Sequence, residues 1–399
     1  MDEAALDHWQ QCALQPGGWD AAGLDRRACW SDLWCSSAHQ SEADLASAPA
    51  HPDEGQVDLD VQRSLGYMPE GNERDLRREQ LSRVIRTTLR RFPALRYFQG
   101  FHDVVGLVLR TMCPDATDEA AWNTMQLMVD QLSLHFLRDC MTRDLHPAMG
   151  QLKIVRNIVR AADAPYAYAL ESVFSPNHWI VALPWVLTLF THTIPDVAQA
   201  QRIMDYVWCT GPASTLYLCA AFLLAQKERL AQVAAEEHTT MEALELAQVH
   251  PILANAPIDV AQDDDALTRV LQNAAYLERT YPLRCPAVRA HLVLGRHSVL
   301  FTWDRSARAS DTKALQALEL PPAQLALDPW PTPRDEPVAW DAATRGPRTR
   351  DILRRMVHAP RLRHLLIHPT LVLLSSLSLC LGGGALSVML AWFLAQSRP

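Results

Sequence analysis

The sequence has no surplus of positive charge: 37 Lys and Arg stand against 45 Asp and Glu, a formal net charge of −8 over 399 residues. A general nucleic-acid binder carries a basic footprint, so that class is set aside, and a phosphate-rich partner would have to meet a local basic patch. No CxxC pair occurs among the 9 cysteines, which are odd in number and scattered from Cys12 to Cys380. That pattern supports neither a disulfide framework nor a zinc site and fits reduced thiols. There is no GxxxxGKS or GxxxxGKT loop, so the chain is not expected to cradle a nucleotide on its own. The opening Met1 to His8 is acidic and lacks an apolar run, so a cleaved secretory leader is not expected. Convincing alternating β-branched runs are missing too, which argues against an extended sheet.

What the chain does have is helical periodicity. At 49% hydrophobic and 21% charged residues it has ample material for one large or two modest soluble domains. Residues 1–45 read as short helices, with Asp25 placed to cap one of them and Trp30, Leu33 and Trp34 on its core face. A loop over 43–56 leads into Val57 to Arg63. An amphipathic helix follows from Leu76 to Phe92, with Leu76, Leu81, Val84, Ile85, Leu89 and Phe92 on one face. Its arginines, Arg74, Arg77, Arg78, Arg83, Arg86, Arg90 and Arg91, read most simply as a solvated face, or else as a dock for an acidic partner. Helical patterns continue at 99–112, 117–143, 147–172, 177–193, 196–209, 213–232, 239–253 and 265–280, with prolines at or just before several starts. The expectation is an all-α body over 15–285, without repeats.

From 286 to 368 the pattern weakens. Val288 to Trp303 can form one further helix, six prolines between 321 and 337 suggest an extended linker, and a cluster of arginines from Arg345 to Arg363 follows. Residues 369–395 then contain no charged side chain. About 20 apolar residues cross a hydrocarbon core, so this run is expected to be a single C-terminal transmembrane helix. Gly382, Gly383 and Gly384 are tolerable in lipid. The arginines before the run place the body on the cytosolic side of such a tail anchor.

Two short stretches carry chemistry. Asp60-Val61-Gln62-Arg63 and Tyr97-Phe98-Gln99-Gly100-Phe101-His102-Asp103 each offer one side chain suited to a phosphoryl-transfer transition state. An arginine at Arg63 can neutralise charge on the transferring group, and an amide at Gln99 can orient the attacking water. With no phosphate loop of its own, the chain reads as one that completes another protein's active site. His102-Asp103 is also the dipeptide of metal-dependent phosphohydrolases. Such a site needs an upstream histidine on a packed helix, and no histidine lies between His51 and His102. No metal site is expected.

These residues resemble a known family. Val57-x-x-Asp60-x-x-Arg63 is similar to the IxxDxxR motif, and Tyr97-x-Gln99-Gly100-x-x-Asp103 to the YxQGxxD motif, of the TBC domain of Rab GTPase-activating proteins. Arg26-x-x-x-Trp30 resembles the family's opening RxxxW element, and Trp185 to Phe190 and Arg202 to Tyr206 its later helices. The resemblance implies a multi-helix Rab-GAP domain with Arg63 and Gln99 as catalytic fingers supplied in trans. Asp60, one helical turn before Arg63, would steady it or else cap a helix; Tyr97 and Gly100 would shape the turn; Asp103 would buttress it or cap a helix. The partner would be a Rab GTPase in its GTP form, bringing magnesium and nucleotide with it, so no cofactor is expected here. Leu134 to Asp139, with the apolar tail, resembles the branch anchored in the endoplasmic reticulum and active in early secretory traffic. The alternative is a tail-anchored helical adaptor that binds Rab-type GTPases without catalysis.

Overall fold

Ala213–Ala225 carries no charged side chain and is apolar around its whole circumference, so it has to be enclosed. In the computed structural model it is: every residue from Ser214 to Leu223 is buried. The structure describes residues 3–34, 48–115, 118–173, 178–303, 311–320, 322–330, 340–341 and 346–347. Their helices of nine residues or more are α1 (Glu3–Ala13), α2 (Arg26–Trp34), α3 (Glu54–Arg63), α4 (Asn72–Arg91), α5 (Phe101–Met112), α6 (Glu119–His135), α7 (His146–Ala162), α8 (Ala164–Val173), α9 (Val197–Thr210), α10 (Ala213–Ala225), α11 (Lys227–Glu236), α12 (Leu246–Ala254) and α13 (Asp264–Thr280). The apolar α10 lies between α7 and α13, and the other helices are layered around this trio.

Among its described residues the body, Met1–Asp335, is all-α apart from one isolated antiparallel bridge between Leu294 and Ala326. Glu336–Pro399 forms a separate unit, in which the two-residue strands Trp340–Asp341 and Gly346–Pro347 pair antiparallel. Among the described residues no helix is long and apolar enough to cross a membrane. The expected span at 369–395 lies outside the described residues.

Several long helical patterns are broken, each for a local reason. The 147–172 pattern divides at Asp163, whose backbone turns extended and whose carboxylate accepts the Tyr166 N–H at 3.0 Å, capping α8. The 177–193 pattern yields only a 3₁₀ turn and a short helix, Leu183–Thr188, because Leu189 and Phe190 adopt left-handed φ of 48° and 70°. The 117–143 pattern ends at His135. Leu76, expected in the core, is 43% exposed: it sits in the opening part of α4, where no residue before Leu81 is buried.

The arginines of α4 do not form a solvated face. Arg90 donates to Glu54 from Nε at 2.7 Å and from Nη2 at 2.8 Å. Arg86 pairs with Asp58, and Arg78 donates to the Ser64 carbonyl at 3.0 Å. These three span the length of α3. On other sides, Arg74 meets Glu70 at 2.9 Å, Arg77 donates to the Cys113 carbonyl at 2.8 Å, Arg83 stacks over Trp122 at 4.9 Å, and Arg91 pairs with Asp130. Periodicity reports which side of a helix is polar. It does not report that a second helix lays its acids along that side.

Described residues past 285, as far as Trp330, pack on the body. Asn157 of α7 donates to the Val288 carbonyl at 2.9 Å, and Lys153 donates to Asp328 at 2.9 Å and to the Trp330 carbonyl at 2.8 Å. Only single turns, Ala290–Val293 and Val299–Thr302, form within 288–303, since Gly295 donates to Leu325 at 2.8 Å in extended backbone. The segment is fastened by Arg138 and Asp139, in the stretch after α6. Arg138 donates to the His297 carbonyl at 2.8 Å and to Thr302 at 2.9 Å, while Asp139 accepts from Ser298 Oγ at 2.5 Å and from the Val299 N–H at 3.1 Å. Burial raises the Asp139 carboxyl, and Arg138, Ser298, Val299 and Gln151 pull the other way.

Arg138→Ala is expected to lower unfolding free energy by about 3 kcal/mol, because it strips a buried carboxylate of its neighbouring cation and leaves three acceptors, on Leu134, His297 and Thr302, without their donor. Hydrogen exchange should speed up at 297–302 first; unchanged protection there would contradict the fastening.

Candidate functional site

A groove of about 820 Å³ opens between the end of α3, the Ser64 to Tyr67 loop, the Gln99 turn with the first half of α5, and the Leu183 to Ala200 wall. Five of the sequence-predicted residues line it: Asp60, Arg63, Gln99, Gly100 and Asp103. Arg63 and Gln99, thirty-odd positions apart in sequence, therefore share one face. Gln99 is exposed, and the Arg63 side chain is 67% exposed.

Both are held from the same side. Asp53, just before α3, accepts the Tyr97 N–H at 3.0 Å, and His51 Nε2 donates to the Pro93 carbonyl at 3.3 Å. The residues that lead into the Arg63 helix thus also grip the turn that carries Gln99. Glu54, in the first turn of α3, is held below its ordinary carboxyl range by its hydrogen bonds to Arg90.

Asp60 is buried beneath Arg63. Its Oδ1 accepts Arg63 Nη2 at 2.5 Å and Gln56 Nε2 at 3.2 Å, and its Oδ2 accepts the Tyr97 hydroxyl at 2.9 Å. Arg63 Nε also donates to the Leu59 carbonyl at 3.2 Å. Burial, reinforced by Asp60, pushes the Tyr97 phenol far above its usual range, so it stays a donor. Tyr97 does more than pack: its hydroxyl ties the Gln99 turn to the carboxylate under Arg63.

Gly100 opens α5 with φ +105°, where a side chain is strained, and a Cβ there would stand 2.7 Å from Thr188 Cγ2. Asp103 does not cap α5; its Oδ2 accepts His192 Nδ1 at 2.8 Å across the groove. Arg26 and Trp30 lie elsewhere. Arg26 Nε and Trp30 Nε1 donate to the buried Asp205 of α9 at 3.0 and 2.8 Å, fastening α2 to α9.

Sequence reasoning missed His192, Arg110 and Tyr67 in the groove, and His102 as more than half of a dipeptide. The Arg110 guanidinium lies 4.6 Å from the Tyr67 ring, at the boundary with a smaller cavity of about 340 Å³ that shares Leu65, Tyr67, Gly106 and Arg110. His102 could have been found from its place inside the second motif. His192 carries no local signal, because it reaches the site from another element. Chemically, the groove offers an outward guanidinium and an outward amide on a braced floor, the inventory needed to complement phosphoryl oxygens and a water brought by another molecule.

The profile described as Rab-GTPase-TBC domain matches residues 23–231. The chain is 27% identical over 187 residues to GTPase-activating protein GYP8 of Saccharomyces cerevisiae, 43% of this chain and 37% of that protein. It is 26% identical over 214 residues to GTPase-activating protein gyp10 of Schizosaccharomyces pombe, 52% and 54% of the two chains. It is 27% identical over 208 residues to TBC1 domain family member 20 of Homo sapiens, 51% and 47%. The matched stretch spans about half the length of these relatives or less.

Gly100→Ala is expected to destabilise the fold by about 2 kcal/mol, combining backbone strain with the clash at Thr188. Adding Thr188→Ser, which keeps the hydroxyl that donates to Pro184 and removes the methyl, should recover only part of the loss in denaturant titration.

Proposed function

The chain belongs to the Rab-GTPase-TBC domain family, and from that premise we propose that it stimulates GTP hydrolysis by a GTP-bound Rab, lending Arg63 and Gln99 to the partner's nucleotide site. One observation carries the reading: both side chains stand exposed on a single groove, mounted on Asp60 and Tyr97. Hydrolysis by a small GTPase is slow because charge building on the phosphoryl oxygens is poorly compensated. An arginine supplied in trans is worth about 10³–10⁵ in rate, or roughly 4–7 kcal/mol of barrier. Guanidinium suits the task better than ammonium because it is planar and donates to two oxygens at once. To reach the phosphates Arg63 swings away from Asp60, a small change for a side chain already two-thirds in solvent. Gln99 then holds the attacking water in line, and nucleotide and magnesium arrive with the Rab.

The Rab class we propose is that of early secretory traffic, and the location the cytosolic face of the endoplasmic reticulum, with 369–395 as the anchor. Support comes from the uncharged tail and from the resemblance of Leu134 to Asp139 to that branch. Arg138 and Asp139 themselves are buried, so this resemblance reflects the build of the body and not a Rab contact.

With purified full-length protein and a panel of GTP-loaded Rabs, at least one should hydrolyse GTP faster under multiple turnover. Arg63→Ala and Gln99→Ala should each lower the stimulated rate at least about a hundredfold with the folded state, read by circular dichroism, retained. A Rab whose own catalytic glutamine is replaced should still respond in part. Binding without stimulation would instead favour the adaptor. In cells, deleting 365–399 should move the protein from membranes to cytosol, and retention on membranes would refute the anchor.

A further inference from the structure

One enclosed imidazole in the groove has no task in the chemistry above. The His102 side chain, on the first turn of α5, is only 13% exposed. Its Nδ1 lies 3.0 Å from Tyr97 Oη and 3.9 Å from Asp60 Oδ2, and its Nε2 lies 3.4 Å from Asp103 Oδ1. With the Asp60–Tyr97 bond on one side and the Asp103–His192 bond on the other, polar contacts run from Arg63 to the opposite wall, hydrogen-bonded at every step but the 3.4 Å one between His102 and Asp103.

The hydrogens on this chain are constrained. Tyr97 has one proton, two candidate acceptors, and a hydroxyl that stays protonated. Given to Asp60 the proton makes a charge-assisted bond, roughly twice as strong as one to a neutral imidazole nitrogen. The proton therefore goes to Asp60, and Tyr97 Oη has only lone pairs left for His102. Nδ1 of His102 must then be a donor. Without that donor the Tyr97 oxygen would be left without a partner for its lone pairs, and its hydroxyl would no longer be held where it meets Asp60 Oδ2 and turns Oδ1 toward Arg63.

We propose that His102 is a positioning residue for Arg63: by donating from Nδ1 to Tyr97 it holds the tyrosine hydroxyl against Asp60, and so sets the carboxylate from which the guanidinium is launched. The inference deepens the proposed activation of a Rab and rests on that reading. It predicts a particular kinetic pattern. Loss of the donor misplaces Arg63 in the transition state without touching the surface on which the Rab docks. An asparagine, whose Nδ2 falls near the place of Nδ1 and can donate, should substitute. Leucine, of similar bulk and without a donor, should not.

The test uses the full-length protein and the Rab it stimulates best, with initial rates measured at rising concentrations of the GTP-loaded Rab. His102→Leu should lower kcat by about tenfold to a hundredfold, the scale of a displaced catalytic group, and leave KM unmoved. His102→Asn should restore most of the lost kcat. In an Arg63→Ala background His102→Leu should have no further effect, since there is no guanidinium left to aim. Should His102→Leu fail to fold, His102→Met, which likewise lacks a donor, takes its place in both comparisons. Equal losses in the leucine and asparagine variants would overturn the proposal, as would a further loss in the Arg63→Ala background. A wild-type protein that stimulates no Rab would bring down the functional reading and this inference with it. A wild-type protein whose stimulation depends on Arg63 but survives His102→Leu would bring down the inference alone.

Discussion

A ten-residue helix is too short to hold itself together in water, and α3, which carries Arg63, is such a helix. Its stability is borrowed from α4. Arg90, Arg86 and Arg78, at successive levels of the longer helix, grip Glu54, Asp58 and the Ser64 carbonyl at the start, middle and end of the shorter one. Part-exposed contacts of this kind are each worth little, but two ion pairs and a hydrogen bond to a carbonyl, in register along one flank, act as a rail. The rail fixes the axial and rotational setting of α3. Arg63 therefore comes out on the groove side, next to a turn held by the neighbouring Asp53. α4 in turn packs against α5 and α6.

Elsewhere the body closes through buried carboxylates, each placed to gather segments from distant parts of the chain. Asp205 receives Arg26 and Trp30 and brings the N-terminal helices onto α9; burial pushes its carboxyl up to about 7, against the pull of those two donors. Asp139 and Arg138 receive Ser298, Val299, His297 and Thr302 and bring in the segment after α13. A desolvated charge without partners costs several kcal/mol, so these residues specify one arrangement of the chain ends more sharply than apolar packing would. The remaining space is taken up by aromatics: Trp30, Trp34, Trp208, Phe136 and Trp303 form one cluster, with Trp303 seated over Gly211 where no Cβ could fit.

What was legible in the sequence follows from the range over which each signal acts. Helices, their proline starts and the two motifs are local patterns, and α4, α5, α9 and α13 lie within a few residues of where periodicity puts them. The meeting of Arg63 and Gln99 on one face could be expected only through family resemblance, since nothing local links them. Contacts made by a distant element could not be read. The α4 arginines looked solvated because α3 was not known to lie beside them, and the Tyr97 hydroxyl looked incidental because its acceptor is on another helix. Breaks such as Asp163 and Leu189 escape periodicity altogether, because a single capping carboxylate or left-handed residue ends a helix whose apolar spacing continues.

The left-handed turn at Gly100, walled by Thr188, bears on how this sequence can drift. Position 100 is fenced twice, once by its own dihedral and once by a methyl group from an element far along the chain. A single substitution at either residue leaves the other constraint standing, so no stepwise route through position 100 is free of penalty. Gln99, immediately before it, inherits this immobility. The amide offered to the partner is aimed by a neighbour that has no side chain, and selection for fold alone would keep that aim even in a descendant that had ceased to use it.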